Sequence, residues 1–433
     1  MATARFIYVL IVLASFSITS CKKEDHPGTT SCDKNQLPIV MAHGLLASGD
    51  TYANQFMRFT ANGFCAERLF VFDWNTLVND GTDTTKLRLF IDSVLTVTKA
   101  EKVILAGHSA GGGLGYRFCS DSNRAAKVAK YIHIGSQPQT NAAANGGIPT
   151  LNIWSPGDKV VAGADIPNAT NAQLVDKDHY EVATCAEAFS AMYKFITDKD
   201  PATTALVPNS ERKISGKVLQ LGENKPMVGA TVKVYEVDIA TGERKTSAPE
   251  HTLTSREGGF WGPIDAKAGA YYEFETITTV ANDRIVHYYR EPFIRSNPLV
   301  YLRTLPSAGT LAGNLLASIP KDDNQTTPII FSANKAAIAG RDVLKINGTE
   351  ITTTTFASAA ITTIAFFLYD GNNNQTTDFT AMGLFASFPF LEAIDMFFSS
   401  SAASNISLEF NGRPLRMKNW KSATEGVGVA VFD

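Results

Sequence analysis

From residue 37 onward, short runs of consecutive apolar residues alternate with longer stretches whose apolar positions recur every three or four residues. The short runs, at 37–41, 69–72, 103–106, 131–134, 151–154 and 172–175, read as buried strands. The stretches 52–62, 84–98, 114–119 and 181–196 read as helices. In 84–98 the positions Leu87, Phe90, Ile91, Val94 and Leu95 form one stripe, as expected of a helix lying on a sheet. Strands that are apolar throughout and separated by helices predict an α/β domain over 37–198, with a mostly parallel sheet covered on both faces. After a Pro- and Thr-containing linker at 199–210 the pattern changes. Short strands rich in Val, Tyr and Thr, at 217–219, 231–237, 271–276, 286–290 and 299–303, predict a β-sandwich-like domain over 211–305. A second β-rich region, 306–433, carries strands near 351–355 and 361–368.

One C-terminal stretch departs from this alternation. Residues 379–398 hold Phe385, Phe388, Phe390, Phe397 and Phe398 among other large apolar residues, with Pro389, Glu392 and Asp395 arguing against a membrane span. It reads as core, or as an apolar cover over a cleft with Phe385, Phe388 and Phe390 as candidate acyl-binding residues. Just before it, Asp370 to Asn374 with Asp378 reads as a hairpin turn, because the ligand spacing of a calcium loop is incomplete.

Composition narrows the class. With 433 residues, 44% hydrophobic, 19% charged and a formal charge of −3, the chain is globular, of two or three domains, with no basic stripe for nucleic acid. At the N-terminus, Arg5 precedes an apolar run over 6–16, too short for a mature membrane helix and suited to a signal segment over 1–20. The run ends in Ile18-Thr19-Ser20-Cys21, which resembles the lipobox of bacterial lipoproteins. That resemblance implies an exported protein with lipidated Cys21 at its new N-terminus and a tether over 21–36, held on a bacterial membrane, at the outer membrane or cell surface. The other four cysteines are even in number. Three pairings are possible; Cys32 with Cys65 and Cys119 with Cys185 is the expected one, buried free thiols are the competing reading, and the spacing suggests no metal site.

The strand at 103–106 runs into Gly107-His108-Ser109-Ala110-Gly111 and then a helix. This strand, Gly-x-Ser-x-Gly, helix order resembles the nucleophile elbow of the α/β-hydrolases, in which a serine sits on a strained turn and its flanking glycines admit close packing. A serine nucleophile needs a base, and the base needs an orienting acid. In that family the order is serine, acid, histidine. Of the seven histidines, only His179 lies in a loop after the last strand of the domain. The strand at 131–134 ends in Gly135-Ser136-Gln137, without a carboxylate, whereas 151–154 ends in Ser155-Pro156-Gly157-Asp158. Asp158 is the expected acid, with Asp165 in reserve. The oxyanion donors expected are the amide of Ala110 and, because His43-Gly44-Leu45 after the first strand resembles the His-Gly-apolar motif of lipases, the amide of Leu45.

Residues 37–197 thus resemble the bacterial true-lipase branch of the α/β-hydrolases. The remainder resembles an archaeal long-chain lipase with a C-terminal β domain, through Pro201-Ala202-Thr203-Thr204, Ile214-Ser215-Gly216-Lys217 and Tyr288-Tyr289-Arg290-Glu291-Pro292-Phe293. The resemblance implies a serine carboxylic ester hydrolase acting on lipid esters, with no metal or organic cofactor. Connections after Ile134 and Asp158 leave no space for an inserted helical lid, so any cover must come from the β regions. A polyester or acylated-polysaccharide esterase, and a non-catalytic surface lipoprotein, are the alternatives.

Overall fold

Six strands, β1 (Ile39–Ala42), β2 (Leu69–Phe72), β3 (Val103–His108), β4 (Val128–Ile134), β5 (Thr150–Trp154) and β6 (Thr170–Gln173), form an all-parallel sheet in the order β2-β1-β3-β4-β5-β6. This computed structural model describes residues 32–433 apart from 79, 281, 282, 307, 308, 386, 387, 389 and 404; the signal segment and Cys21 lie outside the described residues. Alternate residues of each strand feed opposite faces, so the apolar runs of the sequence are used twice. Ile39, Met41, Ile104, Ile132 and Ile153 join one core with helix Ala186–Thr197. Val40, Ala42, Leu105 and Val128 join the other, where Leu87, Ile91 and Val94 of helix Asp83–Thr98 pack with Leu114 and Phe118.

Local departures from the expected elements have local causes. The last strand stops at Gln173, two residues before the expected end, ahead of a turn in which Asp176 takes a left-handed conformation (φ 54°) and leaves Val175 exposed. The expected helix over 181–196 is two helices, Glu181–Thr184 and Ala186–Thr197, broken at the extended Cys185. Gln55 donates to the carbonyls of Ala183 and Cys185, and Arg58 to that of Thr184, so these carbonyls find partners outside the helix. Cys32 and Cys65 form a disulfide with Cα atoms 4.9 Å apart. The expected second pair does not form. Cys119 and Cys185 are free thiols because they belong to the cores on opposite faces of the sheet.

The C-terminal β regions stack in three layers. Strand Lys213–Gln220 lies between Phe260–Asp265 and Leu302–Thr304 in a small sheet. It packs through Ile214, Val218, Trp261 and Leu302 on one face of an eight-stranded mixed sheet. On the opposite face, Ile330, Phe366, Leu368, Ala430 and Phe432 meet a four-stranded sheet through Leu344, Ile346 and Phe410. Strand Val427–Phe432 sits inside the large sheet, parallel to Val286–Arg290 on one side and Pro328–Ser332 on the other. The stretches on either side of residue 305 therefore share one sheet. The segment 379–398 ends in the edge strand Leu391–Asp395, which runs parallel to Ala365–Tyr369. The loop that leaves Ala365–Tyr369 is accordingly not the expected hairpin. Its Asp370 carboxylate is occupied by the amides of Asn374 and Gln375.

Candidate active site

Ser109 terminates β3 with φ 54° and ψ −120°, a conformation non-glycine residues rarely adopt. Its flanks explain the glycines. A Cβ on Gly107 would stand 2.2 Å from the Gly111 carbonyl oxygen, and one on Gly111 2.3 Å from that of Ala42. Helix Ala110–Cys119 starts immediately after the serine, so the amide of Ala110, its first residue, has no acceptor within the helix. The loop after β1 passes beside the serine, with a Cβ on Gly44 falling 3.0 Å from Ser109 Cβ. Leu45 and Ala110 thus belong to the two backbone segments that border Ser109.

His179 brings its Nε2 to 2.9 Å from Ser109 Oγ and its Nδ1 to 2.7 Å from Asp158 Oδ2. Asp158 Oδ1 accepts the amides of Val160 and Val161, each at 2.9 Å. Burial alone would raise this carboxyl, but hydrogen bonds and the charge of His179, with the two amides, outweigh it and hold Asp158 below the usual carboxylate range. Asp165 is engaged elsewhere, accepting from the Trp154 indole at 2.9 Å. Where β4 ends without an acid, Ser136 Oγ donates instead to the Ser109 carbonyl at 2.8 Å.

Further residues hold this series: Asp178 was open to the sequence only as a helper beside the base, and His108, Arg341 and Asn224 were not singled out. His108, inside the elbow motif, donates from Nε2 to the His179 carbonyl at 2.8 Å. Burial, then the neighbouring His179, pushes its pKa down to about 3, so the ring is a neutral donor. Asp178 fixes the loop start by accepting the amides of Tyr180 and Glu181, and is itself held by Arg341 at 2.8 Å and the amide of Ala336 at 3.1 Å. Arg341 also reaches Glu181 at 2.7 Å. Burial and the adjacent Asp178 nevertheless push the Glu181 carboxyl up to about 7. Asn224, also from the β regions, reaches the loop after β1.

An apolar cavity lies next to these groups. Leu46, Thr51 and Tyr180 line it from the α/β domain, Phe331, Phe367 and Val431 from the large sheet, and Phe385 and Phe390 from the segment before its edge strand. Phe390 stacks on His179 with centroids 5.5 Å apart and planes 15° apart. Its left-handed backbone (φ 80°) is held by hydrogen bonds to Ile361, Ile364 and Ala365. Phe388 is half-buried and does not line the cavity. The Arg303–Asp50 pair, at 2.5 Å, supplies charge at the wall. Among the described residues, the cluster Glu273, Glu275 and His287 has metal-like spacing, but Arg244 already neutralises both carboxylates at 2.6 Å. No helix among the described residues is long and apolar enough to cross a membrane.

The Lipase (class 2) family model matches residues 36–123, the Lipase C-terminal domain model residues 210–306, and a further C-terminal-domain model residues 324–433. These matches support a lipase family with a C-terminal domain. The first match contains the Gly44 and Ser109 loops, and the second contains Asn224 and Arg303. Among solved structures it is similar to Aspergillus fumigatus lipase B, with 14% identity over 41% of this chain and a TM-score of 0.33; the similarity spans 56% of that protein's length. It is also similar to Bacillus licheniformis lipase BlEst2 (15% identity, 36% of this chain, 91% of the other, TM-score 0.29) and Bacillus subtilis carboxylesterase CesB (11%, 39%, 86%, 0.30). The six-stranded parallel sheet followed by β-rich sheets is consistent with an α/β-hydrolase carrying a C-terminal β region.

Proposed function

We propose that the protein is a serine carboxylic ester hydrolase acting on acyl glycerols or similar lipid esters, exported and anchored through lipidated Cys21. The observation that carries the reading is the continuous hydrogen-bonded series Asp158, His179, Ser109 beside an apolar cavity. His179 Nε2 takes the Ser109 proton as Oγ attacks the ester carbonyl carbon. The resulting oxyanion accepts hydrogen bonds from the amides of Leu45 and Ala110. Collapse breaks the bond to the alcohol oxygen, which leaves with the proton from His179, and water repeats the sequence on the acyl-enzyme. Asp158 keeps the Nδ1 proton in place and offsets the imidazolium charge.

The acyl chain lies along Phe390, Phe367 and Phe331 in this reading. Each buried methylene contributes about 0.8 kcal/mol, so kcat/KM rises roughly tenfold for each two carbons until the cavity is filled. Hydrolysis of p-nitrophenyl esters from acetate to palmitate tests both halves of the reading. A rise toward long chains that vanishes in Ser109→Ala supports it. Activity confined to acetate and butyrate sinks the lipid-ester assignment, and activity retained by Ser109→Ala sinks the nucleophile. The Cys32–Cys65 disulfide favours an oxidising compartment, in keeping with export. Cys21→Ser is expected to move the protein from the membrane to the soluble fraction; an unchanged distribution removes the lipid anchor.

A further inference from the structure

The loop that carries Leu45 is held by a side chain from outside the α/β domain. Asn224, in the turn after strand Lys213–Gln220, is 5% exposed and takes a left-handed backbone conformation (φ 56°). Its Nδ2 donates to the carbonyls of Ala47 at 2.8 Å and Trp74 at 2.9 Å, and lies 3.2 Å from His43 Nε2. Its Oδ1 accepts from Ser48 Oγ at 2.6 Å. One amide therefore touches His43, Ala47 and Ser48, residues on both sides of the Gly44-Leu45 peptide, and ties them to the segment after β2.

The rest of the loop explains why such a tie matters. Leu46 has φ 59°, an unfavourable conformation for a residue with a side chain, and donates its amide to Thr76 Oγ1 at 2.9 Å. His43 accepts the Trp74 amide at Nε2 (3.2 Å), so the proton is on Nδ1, which donates to the Gly44 carbonyl at 2.9 Å. Burial lowers the His43 pKa and keeps the ring neutral, as this pattern requires. The Gly44-Leu45 peptide is thus oriented by His43 on one side and by Leu46 on the other. Asn224 is the group that meets His43, Ala47 and Ser48 together. An amide suits this position because it supplies donors and an acceptor at once, with no charge to bury.

We propose that Asn224 is a positioning residue for the oxyanion loop, so that the C-terminal region controls transition-state stabilisation as well as acyl binding. This rests on the ester-hydrolase reading above. It predicts a defect even for a substrate too short to reach the cavity, because a misplaced oxyanion donor costs rate irrespective of chain length.

The experiment compares the full-length protein with Asn224→Ala on p-nitrophenyl acetate and on its thiono analogue, whose sulfur accepts hydrogen bonds poorly. The expected result is a ten- to hundredfold loss of kcat on the oxygen ester, KM within twofold of wild type, and a loss of less than threefold on the thiono ester. An unchanged kcat, or equal losses on both esters, overturns the proposal. Should thermal melting show Asn224→Ala to be unfolded, Ser48→Ala removes one of the contacts and is expected to give a three- to tenfold loss with the same oxygen-ester selectivity; no loss overturns it. Absence of turnover by wild type overturns the hydrolase reading and this inference with it, whereas wild-type turnover with an unaffected variant overturns this inference alone.

Discussion

The parallel sheet and the eight-stranded mixed sheet divide the work unequally. Ser109, Asp158 and His179 all stand in loops at the carboxyl edge of the parallel sheet, each within a few residues of a strand end. The mixed sheet and its neighbours contribute no member of the series, yet Phe390 covers the imidazole, Arg341 holds the loop that carries it, and Asn224 holds the loop opposite. The hydrogen-bonded series comes from one region and its restraint from the other. Functional loops on a rigid sheet are still loops, and their precision depends on what surrounds them.

That division can be broken on either side. The largest effect is expected on the parallel-sheet side: Asp158→Asn keeps the shape but no longer fixes the Nδ1 proton of His179, and kcat is expected to fall about 10⁴-fold in steady-state ester hydrolysis. On the other side, Arg341→Ala leaves the buried Asp178 carboxylate without its cation. It is expected to lower stability by about 2 kcal/mol in urea unfolding and kcat by roughly tenfold through loss of loop order. Phe390→Ala is expected to lower the palmitate-to-acetate ratio of kcat/KM about tenfold, by removing cavity wall. An unchanged ratio would free the mixed sheet of any role in acyl binding.

The smallest effect is a pH dependence. The Glu181 carboxyl is raised in the folded state, to about 7, so the folded protein holds its proton more tightly than the unfolded chain. Stability from this group is full below the unfolded carboxylate range and is lost as pH rises from about 4.5 through 7. Glu181→Gln is expected to flatten that decline by on the order of 1–2 kcal/mol, read from urea midpoints at pH 5 and 7.5. A decline of the same size in the variant would assign it to other groups.

The contrast also explains what could be read from the sequence. The elbow, the Gly-Asp turn and the histidine loop are local patterns, since the steric demands on Gly107 and Gly111 act within a few residues, and so the placement of Ser109, Asp158 and His179 was legible. The apolar load of 379–398 was legible too, but its use was not: Phe385 and Phe390 reach the cavity while Phe388 does not. Asn224 and Arg341 gave no signal, because the residues of the α/β domain they hold lie between 150 and 181 residues away in sequence. The pairing of Cys119 with Cys185 failed for a related reason. Spacing along the chain does not say on which face of a sheet a helix will lie.

The position of strand Val427–Phe432 has a consequence in time. It separates Pro328–Ser332 from Val286–Arg290, strands synthesised long before it, and Val431 is part of the cavity wall. A chain delivered N-terminus first presents the strands of the parallel sheet well before this one. The large sheet cannot close until its inner strand arrives. The cavity wall is therefore completed late, and Asn224, Arg341 and Phe390 reach the loops around Ser109 and His179 only after those loops have been synthesised.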